Sequence, residues 1–212
     1  MLEIVQLTDI NHPDFQGALE IYLDSFPPCE RQPLEILETR LSNQLYQWFV
    51  AKAENQVVGI ALIYPLKPTP FILLDYLGTD KNYRSRGIGR MLMSHLINLV
   101  NNQQHTLLIE VENPQFCEDS EQAERRIKFY QNNGAKVLES VRYLLPPLSG
   151  DVPTEMLLMM VPAELGGQLP GKQVKQLIEQ VYQEMYDRPS EDALLRSFIE
   201  EVPDVVSLVH LS

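Results

Sequence analysis

Histidine, cysteine and basic residues are all scarce in this 212-residue chain, and each scarcity removes a class of function. Two cysteines, Cys29 and Cys117, are too few to staple a chain whose 44% hydrophobic content can fill a core unaided, so both read as free thiols. Neither has an obvious His or Asp partner nearby, and a thiol nucleophile is not expected. The four histidines, His12, His95, His105 and His210, lack metal-ligand spacing, so no metal is expected. No run of about 18 uncharged apolar residues occurs. The opening Met1-Leu2-Glu3-Ile4-Val5 lacks the basic and apolar regions of a leader, so a cytoplasmic protein without a membrane partner is expected. Only 17 Lys and Arg stand against 29 Asp and Glu, a net charge of −12 that repels nucleic acid and anionic lipid and favours cationic partners.

What basic charge there is gathers in one place. Lys81-Asn82-Tyr83-Arg84-Ser85-Arg86-Gly87-Ile88-Gly89-Arg90 puts four of the 17 Lys and Arg on a glycine-bearing turn. Phe71 to Gly78 before it reads as a strand. Met91 to Val100 after it reads as a helix, with Leu92, Leu96, Leu99 and Val100 on one face. A turn that opens a helix offers unpaired N–H groups and the positive end of the macrodipole, which suit a phosphate. Gly87 and Gly89, without Cβ atoms, allow close approach. A P-loop is excluded by the missing Gly-Lys-Ser/Thr ending, and a dinucleotide fingerprint by the missing third glycine.

The other elements follow from periodicity and punctuation. Leu2 to Leu7 reads as a strand, and a helix begins at Pro13, bears Phe15, Ala18, Leu19, Tyr22, Leu23 and Phe26, and ends at Pro27-Pro28. Pro33 opens a second helix. Tyr46 to Ala53 and Val57 to Tyr64 are strands about a Glu54-Asn55 turn. Thr106 to Glu112 is a strand and Glu121 to Asn132 a helix stopped by Asn133-Gly134. Lys136 to Leu144 and Thr154 to Val161 complete the strands. This order, β, α, α, β, β, β, α, β, α, β, β, predicts an α/β fold with a mixed sheet.

Arg84-Ser85-Arg86-Gly87-Ile88-Gly89 resembles the Arg/Gln-x-x-Gly-x-Gly/Ala loop of the GNAT superfamily of acetyl-CoA-dependent N-acetyltransferases, and the element order is that of its fold. The resemblance covers residues 1–162, as pattern throughout and as motif in two places. It implies a mostly antiparallel sheet flanked by helices, with Arg84, Ser85, Arg86, Gly87, Ile88, Gly89 and Arg90 holding the pyrophosphate of acetyl-CoA. Leu77, Gly78 and Thr79 match the strand positions that pair with the pantetheine arm. Ile109-Glu110-Val111 is similar to a Leu-Glu-Val stretch of the ribosomal-protein N-terminal acetyltransferases, which implies Glu110 as general base. A solvated strand face is the other reading of Glu110. Phe129-Tyr130, four residues before Gly134, resembles the second motif and implies Tyr130 as the acid for the leaving thiolate; a core tyrosine is the alternative. Asp75 is a second candidate base or a group that meets a cationic substrate; a solvent-facing carboxylate is the other reading. Phe26-Pro27-Pro28-Cys29-Glu30-Arg31 resembles a stretch of a bacterial subset, placed where the family's first two helices line the acceptor cleft, which implies Glu30 as a group that meets the substrate amine; a local helix-start role for Glu30 and Arg31 is the other reading. The chain departs from the family at Asn113–Ser120, a longer acidic loop in place of a cofactor-contacting Asn.

Residues 163–212 form an extension beyond that domain. Val174, Leu177, Ile178, Val181, Tyr182 and Met185 make one apolar helical stripe, and Ser190 is placed to cap a second helix bearing Leu194, Leu195, Phe198 and Ile199. Val205 to Leu211 has strand composition and must pair with the chain's own sheet or with a second copy, making a homodimer. The expected function is N-acetylation of a primary amine, a small molecule in preference to a protein, by direct attack in a ternary complex. The alternative is a non-catalytic acyl-CoA-binding or sensing module.

Overall fold

A computed structural model of the chain describes residues 2–161 and 166–211, which form an α/β fold with a mostly antiparallel sheet flanked by helices. They divide into two compact units, Met1–Pro65 with Ile72–Gln103 and Leu66–Phe71 with Gln104–Ser212. The domain boundary expected at residue 162 lies outside the described residues, as does the side chain of Cys29.

The first unit runs β1 (Leu2–Leu7), α1 (Phe15–Ser25), α2 (Leu34–Ser42), β2 (Gln47–Ala53), β3 (Gln56–Leu66), β4 (Phe71–Thr79) and α3 (Ile88–Asn102), with its strands in the order β1-β2-β3-β4. Glu54 and Asn55 both take left-handed backbone, at φ 50° and 66°, between the paired Ala53 and Gln56. That is the two-residue turn whose twist suits a hairpin. A register shift after Ala51 leaves Val58 as the extra residue of β3, and its carbonyl accepts the N–H of Asp80 at 3.0 Å. The bulge thereby anchors the start of the basic turn. Helix α3 buries Ile88, Leu92, Met93, Leu96 and Val100. Burial of each such side chain is worth about 1.5–3 kcal/mol, so this face outweighs the two glycines at the helix start. Gly59 on β3 permits the approach: a Cβ there would lie 2.7 Å from Ile88 Cγ2.

The second unit contains β5 (Thr106–Glu112), α4 (Ser120–Asn132), β6 (Lys136–Leu138), β7 (Tyr143–Leu145), β8 (Thr154–Val161), β9 (Gln168–Pro170), α5 (Gly171–Tyr186), α6 (Ala193–Arg196) and β10 (Val205–Val209). Its strands lie in the order β5-β8-β6-β10-β9, with β7 also on β8. The single strand expected over Lys136 to Leu144 is two. Val137 faces Met159 while Tyr143 faces Met156, so the stretch between them holds more residues than β8 can pair. The surplus loops out through Ser140 at φ 59° and turns to β10, where Leu138 faces Leu208 and the Glu139 N–H meets the Ser207 carbonyl at 2.9 Å. The terminal strand therefore pairs with the chain's own sheet.

The apolar stripe of α5 is buried as expected, at Val174, Leu177, Ile178, Val181, Tyr182 and Met185. The helix expected after Ser190 is shorter. Asp192 is its cap, accepting from the Leu194 and Leu195 amides at 2.9 and 3.1 Å, while Ser190 bonds Glu191. A carboxylate takes both amides where a hydroxyl takes one more weakly. The α-helix ends at Arg196 with Ser197 as its C-cap, and Ile199–Glu201 follows as a 3₁₀ turn. No helix among the described residues is long and apolar enough to cross a membrane.

Candidate functional site

Helix α3 opens at Gly87, whose φ of 81° is left-handed and whose side of the turn is empty: a Cβ there would meet nothing within 4 Å. No side chain caps the helix, and its first bond runs from the Met91 N–H to the Gly87 carbonyl at 2.9 Å. The amides ahead of Met91 are thus the outward-pointing donors of a helix start. Ser85 is also left-handed, at φ 60°, a conformation that costs a non-glycine residue about 1–2 kcal/mol and tends to persist at functional turns. Arg84, Ser85, Arg86, Gly87 and Arg90 are exposed, Gly89 is half-buried, and Ile88 is buried as the anchor. Lys81 pairs with Asp24 at 3.2 Å and Arg86 lies over the Tyr83 ring at 4.9 Å. None of the ion pairs among the described residues uses Arg84, Arg86 or Arg90. Exposed Arg84, Arg86 and Arg90 thus border one uncapped helix start, whose dipole favours negative charge.

On β4, Leu77 and Thr79 are half-buried, and Gly78 is buried where a Cβ would lie 3.0 Å from Ser25 Oγ. Asp75 accepts a short hydrogen bond from the Tyr46 hydroxyl, which itself accepts from Arg40 at 3.0 Å. Arg40 also stacks over the rings of Tyr46 and Tyr64, at 5.4 and 5.5 Å. Burial pushes the Asp75 carboxyl up to about 6, with Tyr46 and Arg40 pulling the other way. Glu30 is held through its backbone: its carbonyl accepts from Tyr76 Oη at 3.0 Å. Tyr76 follows Asp75 on the strand and so points to the opposite face, and the two expected substrate residues do not meet through these contacts.

In the second unit Glu110 faces Leu158 across β8 and is half-buried. Its two oxygens take separate phenols. Tyr143 donates a short hydrogen bond to Oε1, and Tyr186 donates to Oε2 at 2.9 Å. The mid-strand carboxylate is thus solvated by the protein rather than by water alone. Tyr130, on α4 beside Phe129, is half-buried, and among the described residues its hydroxyl forms no hydrogen bond. Burial pushes that hydroxyl up to about 12; the Arg126 guanidinium draws it down and Glu112 pushes it up, and these two form a short ion pair. Gly134 takes φ 90° at the helix end, as its motif position requires.

Sequence comparison bears on this geometry. The model of the acetyltransferase (GNAT) family matches residues 7–134, which include both the basic turn and Tyr130. The chain belongs to the GNAT family. No curated protein sequence matches it. Among solved structures it resembles a protein of Bacteroides thetaiotaomicron assigned to the GNAT family, at TM-score 0.73 and 22% identity over 88% of this chain and 99% of that one. It also resembles the ribosomal-protein-S18-alanine N-acetyltransferase of Escherichia coli, at TM-score 0.58 and 20% identity over 79% and 97%. A third likeness is a GNAT acetyltransferase of Elizabethkingia anophelis with acetyl-CoA bound, at TM-score 0.55 and 16% identity over 75% and 96%. At these identities the structures speak for the fold alone.

GNAT acetyltransferases use acetyl-CoA as co-substrate, and membership makes this chain an acyltransferase. The Bacteroides likeness covers a share of this chain that residues 1–161 alone do not supply, so part of the extension is common to both. Sequence reasoning missed Tyr143 and Tyr186 against Glu110, and Arg40 and Tyr46 against Asp75. Tyr186 did leave a trace, since it follows Tyr182 by one helical turn at the end of the apolar stripe. Its partner lies 76 residues away, which no local pattern encodes. Cys117 is free, with its thiol pushed up by burial and by Glu112, opposite to an activated nucleophile. His95 is packed edge-on to Phe49 at 5.0 Å and held neutral by burial. Among the described residues no cluster of His, Cys, Asp and Glu is placed to hold a metal.

Proposed function

We propose that this GNAT protein transfers an acetyl group from acetyl-CoA to a primary amine by direct attack in a ternary complex. The observation that carries the reading is the uncapped start of α3 at left-handed Gly87, with Arg84, Arg86 and Arg90 exposed beside it in the chain. Acetyl-CoA fits that turn on its chemistry: open space where a Cβ would stand, outward amides, and guanidinium groups suited to bidentate phosphate contacts. Leu77, Gly78 and Thr79 would hold the pantetheine arm, and the co-substrate would supply the activated acyl group as a thioester.

The chain's own residues then handle protons. A lysine-like amine, with a pKa of about 10.4, must lose a proton before it attacks, and Glu110 is the carboxylate assigned that task. Tyr143 and Tyr186 occupy two of a carboxylate's roughly four acceptor sites and stabilise its ionised form. Tyr130, protonated at neutral pH, donates a hydrogen bond to the departing sulfur; at about 12 it holds its proton more tightly than a thiol at about 8.5, so hydrogen bonding rather than complete transfer suits it. Asp75 supports a second assignment of the base, because a carboxyl at about 6 is poised for neutral-pH catalysis.

The acceptor class is read from charge. A net charge of −12 draws cationic small amines, and the named substrate of the Escherichia coli relative adds an alanine-initiated peptide to the trial set. Steady-state acetylation across such a panel tests the proposal. Glu110→Gln is expected to lower kcat by about 10²–10⁴, and Tyr130→Phe by about tenfold or more, with acetyl-CoA binding retained. Loss of activity as pH falls through about 6, abolished by Asp75→Asn rather than by Glu110→Gln, would assign the base to Asp75. Acetyl-CoA binding with no acceptor acetylated in any class would leave the non-catalytic sensing module as the function.

A further inference from the structure

The carboxylate of Glu110 is framed by two residues that lie beyond residue 134, where the family match ends. One of them, Tyr186, stands on the last turn of α5, within the C-terminal extension. We infer that Tyr186 is a positioning residue for Glu110, through which the extension completes the catalytic constellation. This inference rests on the reading of Glu110 as base.

The geometry is built rather than incidental. Helix α5 is locked down immediately before Tyr186: Tyr182, one turn earlier on the same face, is fully buried and donates a short hydrogen bond to the Leu144 carbonyl. Tyr182 packs edge-on against Tyr143 at 6.2 Å and against Tyr186 at 6.1 Å, and meets Phe198 in a tilted contact at 5.9 Å. Tyr143, also fully buried, meets Phe198 at 6.1 Å. The rings that carry the two phenols on Glu110 are therefore parts of one aromatic cluster, and neither can swing away without opening it. Just past Tyr186 the chain turns through left-handed Asp187, and the Arg188 amide bonds the Tyr182 carbonyl at 3.1 Å, which fixes where α5 stops. A helix ending one residue sooner would leave Oε2 of Glu110 without this donor.

A carboxylate held at both oxygens has one orientation, and a base in one orientation is what an incoming amine requires. Loss of the Tyr186 hydroxyl should leave packing intact and free the carboxylate to rotate. It should therefore act on turnover and not on co-substrate binding, whose turn lies in another part of the chain.

The test is a double-mutant cycle in the full-length protein. Tyr186→Phe is expected to lower kcat on the order of ten- to a hundredfold, the loss appropriate to one hydrogen bond to a charged group, with KM for acetyl-CoA unchanged. Added to Glu110→Gln it should lower kcat no further, because the group it orients is gone. The carbon-13 resonance of the Glu110 carboxyl, assigned by its disappearance in Glu110→Gln, should move in Tyr186→Phe without any turnover being measured. Leu169→Ala, at a buried position of β9 at the far end of the strand order from β5, is the control for structural loss, expected to lower the unfolding midpoint while kcat stays within a few-fold. Equal effects of Tyr186→Phe on both backgrounds, or an unmoved carboxyl resonance, would overturn the inference while the base reading stood. Full turnover in Glu110→Gln would overturn both.

Discussion

Asp75 shows how one residue's surroundings set its chemistry. In the unfolded chain its carboxyl titrates near 3.9, whereas burial raises it to about 6 in the folded protein against the pull of Tyr46 and Arg40. A carboxyl raised on folding binds its proton more tightly in the native state, so the stability it gives is complete below about pH 4 and is lost as pH rises through about 6. Asparagine mimics the neutral form and does not titrate. The unfolding free energy of Asp75→Asn should therefore gain on that of the parent by on the order of 2–3 kcal/mol between about pH 4 and pH 7, as read from urea midpoints. A constant difference across that range would show that the charged form carries no burial cost. At this scale the sequence was only half legible. Glu110 and Asp75 stood out as carboxylates within apolar strands, but the phenols and guanidinium that govern them come from distant segments.

Elements were legible where one local cause acts alone. The α3 start, the Glu54-Asn55 hairpin and the stripe of α5 each follow from spacing and from residues that tolerate left-handed backbone; the hairpin and the stripe stand where expected, and α3 begins at Ile88, ahead of the expected Met91. One misreading arose where a tertiary partner decided. β6 and β7 are separate because β6 pairs with β10 as well as with β8, whereas the cap of α6 moved for a local reason, the carboxylate of Asp192 outcompeting Ser190. The start of α5 offers a test of such tertiary control. Gly171 donates its N–H to the Asp204 carbonyl at 2.7 Å, and a Cβ on it would fall 1.8 Å from the Pro203 carbonyl oxygen. Backbone cannot yield as a flexible side chain does. Gly171→Ala is expected to lower stability by roughly 1–3 kcal/mol or more in urea unfolding, through separation of α5 from the approach to β10. A neutral effect would show that this junction is loose. Because α5 also carries Tyr186, the same variant should lower kcat.

For the whole molecule, composition set expectations, since few cysteines, few histidines and an acid excess turned the reading away from disulfide, metal and nucleic-acid functions before any motif was read. The fold and the family then came from two short motifs set in the right order of elements, and residues 7–134 match that family. What composition could not give was the role of the extension, whose strand β10 joins the sheet of its own chain and whose helix α5 reaches Glu110. The account depends most on the basic turn as the holder of acetyl-CoA. Calorimetric titration with acetyl-CoA addresses it directly, with Gly87→Glu beside Gly150→Glu, a glycine of similar left-handed backbone (φ 81° and 75°) with equally open surroundings. The parent and Gly150→Glu are expected to bind at on the order of micromolar concentrations, and Gly87→Glu to show no binding, because a side chain and a negative charge would occupy the place of the pyrophosphate. Absence of binding by the parent, or binding by Gly87→Glu equal to that of Gly150→Glu, would contradict the account.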